Sequence, residues 1–144
     1  MKKLLVVTFL ILVFGTVIGS GNKDLTISGI QVEIDNKKVD YDKSISKQLI
    51  DFESKEIIVY KDKKRSCLVE FLYKRRGNRI KLRRKSKVIL SNGSILKGNR
   101  KKEVQFMSSS APGYFEFPVA ENIVLDKTAY STFFISYTVR VTYL

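Results

Sequence analysis

Apolar and polar residues alternate along most of the chain after residue 24, which is the pattern of β-strands that bury one face. The alternation is most regular at the C-terminal end, over residues 133–144, and predicts one long strand with a dry face and a wet face. The residues predicted on the dry face are Phe133, Ile135, Tyr137, Val139, Val141 and Tyr143.

Shorter stretches of the same pattern predict strands at residues 25–34, 56–60, 67–73, 80–82, 88–90, 95–96, 104–106 and 114–119. Within the first of these, the alternation changes phase at Ser28-Gly29, and a one-residue slip at a glycine predicts a β-bulge. Asp35-Asn36 then predicts a turn. Residues 108–113 predict a loop, and only residues 44–52 have a short helical pattern, with Ile45, Leu49 and Phe52 on one face.

Two hairpins are predicted from turn residues between strands. A turn at residues 76–78 joins two strands that have an apolar face and a cationic face. Asn92-Gly93 predicts the second turn, with both residues at positive φ. About eight strands at this spacing predict a single all-β domain, built as a sandwich of two sheets or as a barrel.

The N-terminus has the three-part order of a secretory signal peptide. Lys2 and Lys3 precede an apolar stretch at residues 4–18, and small residues follow, with cleavage expected after Gly19 or Ser20. The alternative is a retained membrane anchor, but 15 residues are short for a span that needs about 20. We therefore predict a signal peptide at residues 1–20, one domain at residues 21–144, and a location in the cell envelope or outside the cell.

The residues of common catalytic sites are scarce. The chain has no histidine, so His-based triads and histidine zinc sites are excluded, and its single cysteine, Cys67, cannot form an internal disulfide. Cys67 lies in an apolar strand pattern, which favours a buried structural thiol. Asp40 and Asp42 are interpreted as a solvated loop rather than a working carboxylate pair. We predict no enzyme activity, no cofactor, no metal site and no small-molecule substrate.

Positive charge is concentrated in the middle of the chain. The formal net charge is +13, and the stretch from residue 61 to residue 103 has 17 Lys or Arg against three acidic residues. A compact basic face attracts polyanions such as anionic glycans, lipopolysaccharide or nucleic acid, whereas the alternative is a set of solvated strand faces. Phe71 and Tyr73 nearby are either base-stacking platforms or core residues. The candidate polyanion-binding residues are Lys74, Arg75, Arg76, Arg79, Lys81, Arg83, Arg84 and Lys85.

The C-terminal run GYFEFPVAENIVLDKTAYSTFFISYTVRVTYL resembles the end of secreted pilin-type subunits of the spore coat U and fimbrial kind. Those subunits end in a loop and a long alternating strand with an aromatic residue near the terminus. The resemblance implies an immunoglobulin-like sandwich that lacks one strand and leaves a groove beside its last strand. A chaperone or neighbouring subunit would fill that groove by strand addition. Residues 25–34 are then either the donated strand or an ordinary first strand.

Two functions follow as expectations. The first is a pilin-like structural or adhesive surface subunit that assembles by strand addition at the dry face of the last strand. The second is a monomeric exported module that binds polyanions through the basic hairpin.

Overall fold

The computed structural model describes residues 23–50, 52–106 and 113–143, and they form nine β-strands without a helix. The predicted signal peptide and most of the loop predicted at residues 108–113 lie outside this part of the chain. No helix in the described ranges is long and apolar enough to cross a membrane. The strands are β1 (Asp24–Ile34), β2 (Lys37–Val39), β3 (Ile45–Gln48), β4 (Ser54–Lys61), β5 (Arg65–Arg76), β6 (Arg79–Leu90), β7 (Ile95–Phe106), β8 (Gly113–Asp126) and β9 (Ser131–Tyr143).

The strands form two antiparallel sheets, which confirms the all-β prediction and is consistent with a β-sandwich. The first sheet has the order β2-β1-β9-β8, with β3 also paired to β1, and the second has the order β4-β5-β6-β7. One hydrophobic core joins the inner faces of both sheets. Phe71 and Tyr73 from the second sheet and Phe133 from the first are its largest fully buried side chains.

Strand β9 lies inside the first sheet, between β1 and β8. The predicted dry face of this strand is confirmed, because its members from Phe133 to Val141 are at most 3% exposed. Tyr143 is half-buried at the rim of the core.

The predicted β-bulge in β1 is confirmed. The register with β9 jumps from Ser28↔Thr138 to Gln31↔Ser136, so Gly29 and Ile30 together lie opposite a single residue. Gly29 has a φ of 64°, a left-handed conformation that costs glycine little. The extra residue allows the apolar positions on both sides of the bulge to reach the core.

Replacing Gly29 with alanine is expected to lower the free energy of unfolding by about 1 kcal/mol, because an L-residue pays for the left-handed conformation. A Cβ atom at this position meets no atom within 4 Å, so crowding contributes nothing. Urea denaturation of Gly29→Ala beside Ser28→Ala, an exposed neighbour at negative φ, measures the effect. Equal stability of the two variants would contradict the assigned bulge.

The turns follow the sequence with one correction. Asp35 and Asn36 both have positive φ, as a type I′ turn requires, and Gly77 has positive φ at the first central position of its two-residue turn. The hairpin at Asn92-Gly93 is confirmed, but only Gly93 has positive φ. The predicted strand ends at Leu90 and Ile95 are confirmed, but positive φ at Asn92 is wrong, because the four-residue connection 91–94 is not a two-residue type I′ turn. Asn92 instead accepts a hydrogen bond from the Ser94 amide at 2.9 Å.

The helix predicted at residues 44–52 is wrong. Residues Ile45–Gln48 form β3, which pairs with the first half of β1. The Leu49 amide donates to the Lys23 carbonyl oxygen, and the Leu49 side chain is buried. Pairing with a free sheet edge satisfies more backbone groups than a short isolated helix, so tertiary contacts override the weak local pattern.

Candidate polyanion interface

The second sheet has one apolar face and one basic face. Alternation along β6 directs Ile80, Leu82 and Val88 into the core and sends the lysines and arginines at 79, 81, 83, 85 and 87 outward. Directly paired residues of antiparallel strands lie on the same face of a sheet. The register therefore decides which cations of β5 and β7 lie beside those of β6.

That register places like charges directly opposite each other. Lys74 of β5 faces Lys81 of β6, and Arg83 of β6 faces Lys102 of β7. Like charges in directly opposed positions destabilise a sheet, so this face has an unfavourable electrostatic energy without a bound anion. We call the ten residues of five such pairs the cationic face: Lys74↔Lys81, Arg76↔Arg79, Arg83↔Lys102, Lys85↔Arg100 and Lys87↔Lys97.

Acidic residues offset only part of this charge. Lys85 Nζ lies 3.2 Å from Glu70 Oε1, and Lys87 Nζ lies 3.4 Å from Glu56 Oε2. The opposite end, near the turn at Gly77, has a cavity of about 280 Å³ whose lining is wholly basic: Lys74, Arg76, Arg79 and Lys81. The cationic face is therefore purely basic near the turn at Gly77 and mixed from its middle to the end at Lys87.

Lys81 lies among several cations of this face. Loss of solvent around its ammonium group, followed by repulsion from Lys102, Arg79, Arg83 and Lys74, holds its pKa below the ordinary value for lysine. An anion bound over Lys81 would act in the opposite direction, because it favours the charged ammonium.

Six of the eight predicted polyanion-binding residues lie on the cationic face, and two do not. The exceptions are Arg75, which pairs with Ile80 on the inward phase, and Arg84, which is only 6% exposed. Arg84 lies on the inward phase of β6, because consecutive strand residues point to opposite faces. The six are Lys74, Arg76, Arg79, Lys81, Arg83 and Lys85.

Four residues of the cationic face were missed from the sequence: Lys87, Lys97, Arg100 and Lys102. A β-bulge between Lys85 and Lys87 shifts the pairing of β6 with β7, and alternation alone does not locate it. The only sequence signal was the density of basic residues over positions 61–103.

Phe71 and Tyr73 are fully buried, so the base-stacking interpretation is wrong and the core interpretation is confirmed. An exposed aromatic ring does lie at the end of the cationic face. Phe106 of β7 is 64% exposed and pairs with Arg79. This ring offers an apolar contact beside the basic end of the face.

The predicted strand-addition surface is not accessible in this structure. Its side chains point into the core, and both edges of β9 already pair with strands of the same chain. Strand β1 thus behaves as the ordinary first strand that the sequence left as an alternative. The edge strand β8 has Pro118 and the inward-pointing Glu121, and β7 has several lysines and arginines; such residues discourage edge-to-edge pairing.

Glu121 belongs to a polar cluster that lies between the sheets. Ser86 Oγ donates to its carboxylate, at 2.6 and 2.8 Å from the two oxygens, and the Asn99 amide donates to Oε1 at 3.0 Å. Arg84 Nη1 lies 4.0 Å from Oε2. The cluster therefore links β6 and β7 to β8 across the sandwich, with one positive and one negative charge buried together.

Two weakly acidic side chains lie near this cluster. Burial raises the pKa of the Cys67 thiol to about 12, and the Glu121 charge adds to that increase. Burial likewise raises the pKa of the Tyr137 hydroxyl. Cys67 is thus a buried, protonated thiol, which confirms the predicted structural role and excludes a reactive thiolate at neutral pH.

Asp40 and Asp42 are exposed in the segment between β2 and β3. Among the residues that the structure describes, no group of three or more acidic or cysteine side chains is arranged to hold a metal ion.

Comparison of the chain with protein-family models, with curated proteins and with solved structures found no match.

Proposed function

We propose that this protein is an exported polyanion-binding module that acts through the cationic face. The observation that carries the proposal is the five like-charged pairs on one surface of a single sheet. Such an arrangement costs folding energy, and a bound anion offsets that cost. Arg and Lys outside the core can both contact phosphate or sulfate groups, with Arg able to bind in bidentate fashion.

The shape of the cationic face favours a polymeric ligand. Outward residues of one strand repeat about every 6.7 Å, and neighbouring strands lie about 4.8 Å apart. From Arg79 to Lys87 the face is therefore about 27 Å long and three strands wide. A chain with regularly spaced charges can contact several cations at once along this length, whereas a single small anion contacts one pair.

The test is the salt dependence of binding by the purified protein. Affinities for dextran sulfate and for inorganic polyphosphate are measured by titration between 50 and 300 mM NaCl. Counterion release predicts a slope of log affinity against log salt of about −0.7 to −0.9 per contact, so at least four contacts give a slope steeper than about −3. Affinity for both polymers that is weak at low salt, or nearly independent of salt, would overturn the proposal.

The pilin-like function remains a prediction from the C-terminal resemblance. The structure defines what strand addition would require. Strand β1 occupies the edge of β9 where an added strand would lie, so assembly needs β1 to leave and the same segment of a neighbour to replace it. Size-exclusion chromatography distinguishes the two proposals by oligomeric state. The polyanion-binding module is expected to be a stable monomer without any donated strand, whereas a pilin-like subunit is expected to assemble by strand exchange.

A further inference from the structure

The middle of the cationic face differs chemically from its basic end. A cavity of about 420 Å³ opens there, and its lining includes Arg83, Lys85, Arg100 and Lys102 together with Ser54 and Glu70 from the β4–β5 side. The cavity near the turn at Gly77 has only basic lining residues. The larger cavity thus offers cations, a carboxylate and a hydroxyl to the same ligand.

Glu70 has the properties of a hydrogen-bond acceptor in this cavity. A hydrogen bond from the Ser54 side chain, with a further contribution from Lys85, holds the pKa of Glu70 below its ordinary value, so the carboxylate is ionised at neutral pH. Its side chain is 30% exposed. An ionised carboxylate has about four lone-pair positions, so Ser54 and Lys85 leave room for donors from a ligand.

A second carboxylate, that of Glu56, lies beside Glu70. Glu56 of β4 pairs directly with Glu70 across the strands, and both line a smaller adjoining cavity of about 190 Å³. Acidic residues therefore border the cationic face on its β4–β5 side, next to Lys85 and Lys87. The carboxylates of Glu56 and Glu70 repel a ligand that carries only negative charge and acceptor atoms.

We propose that the polyanion bound by this protein is an acidic carbohydrate, sulfated or phosphorylated, whose hydroxyl groups donate to Glu70. The inference rests on the proposed function and specifies its ligand class. Sulfate or phosphate groups bind Arg83, Arg100 and Lys102, and the neighbouring sugar hydroxyls fill the acceptor positions of the carboxylate. Inorganic polyphosphate has no such hydroxyl donors along its chain, so Glu70 disfavours it.

The experiment compares a heparin-derived hexasaccharide, a polyphosphate of the same charge and a single-stranded DNA oligonucleotide, each titrated against the purified protein. The variant Glu70→Leu removes the acceptor. It is expected to weaken hexasaccharide binding about tenfold and to strengthen polyphosphate binding severalfold, because a repulsive charge is lost. The matched control, Glu116→Leu, removes the same charge from an ion pair on the other sheet and is expected to change neither affinity.

The outcomes separate the two proposals. If Glu70→Leu strengthens binding of both the hexasaccharide and the polyphosphate, the carbohydrate inference is wrong and the polyanion-binding function stands. Preference of the unmodified protein for the oligonucleotide over the hexasaccharide also overturns the inference. If none of the three probes binds with a steep salt dependence, the proposed function itself fails. The circular dichroism spectrum of the variant, compared with that of the unmodified protein, shows that it is folded.

Discussion

The variant Glu121→Ala is expected to lose about 3–5 kcal/mol of unfolding free energy, because it leaves a buried arginine without its counter-charge. Arg84 is 6% exposed, and its Nε and Nη1 atoms are buried without a hydrogen-bond partner among the described residues. The variant also leaves the Ser86 hydroxyl and the Asn99 amide without their acceptor. Urea denaturation followed by circular dichroism measures the loss.

A double variant distinguishes charge compensation from simple loss of packing. Arg84→Met combined with Glu121→Leu removes both charges and retains most of the volume, so it is expected to be more stable than Glu121→Ala alone. It remains less stable than the unmodified protein, because Ser86 and the Asn99 amide still lack their acceptor. The control is Glu116→Ala, which breaks the exposed 2.8 Å pair with Arg140 and is expected to cost at most about 1 kcal/mol. If Glu121→Ala costs no more than this control, the buried pair of Arg84 and Glu121 does not stabilise the contact between the two sheets.

Reversing two charges on the cationic face, Lys81→Glu together with Arg83→Glu, is expected to weaken polyanion binding about 600-fold and to stabilise the fold. A cation near an anionic surface contributes about fivefold to binding, and this variant changes the net charge of the face by four units. In the folded protein it converts two repulsive pairs, with Lys74 and with Lys102, into attractive ones. Binding falls while the urea midpoint rises.

The opposite signs of these two effects make the prediction specific to a binding face. The control variant reverses Lys37 and Lys38, two exposed residues of β2 on the other sheet, and has the same net charge. It is expected to retain most of the polyanion affinity, so a comparable loss in both variants would mean that binding follows net charge rather than this face. A cationic face without a binding role would give the stability gain with little change in affinity.

The two charged systems share strand β6. Its outward residues belong to the cationic face, and Arg84 and Ser86 on its inward side belong to the polar cluster with Glu121. The bulge between Lys85 and Lys87 lies at the same level of the strand, where β7 approaches β8 at Gly98. A Cβ atom on Gly98 would approach Glu121 Oε1 to 2.7 Å, so this glycine permits the close contact that connects the two sheets.

Local features of the fold could be predicted from the sequence, because they depend on neighbouring residues. A two-residue period identifies which side chains of a strand share a face, and the slip at Gly29 and the turn at Asp35-Asn36 need left-handed backbone within a few residues. For the same reason the alternation along β6 was enough to separate Arg83 from Arg84, although the predicted site included both.

Tertiary structure decided the features that depend on pairing between distant segments. Residues 45–48 became a strand because the edge of β1 was available, and β9 became an interior strand because β1 and β8 both pair with it. The register of β6 with β7 places Lys97, Arg100 and Lys102 on the cationic face. Arg84 lies near Glu121 because the two sheets pack against each other there. Strand register and sheet packing depend on contacts throughout the domain, so they cannot be predicted from the pattern of neighbouring residues.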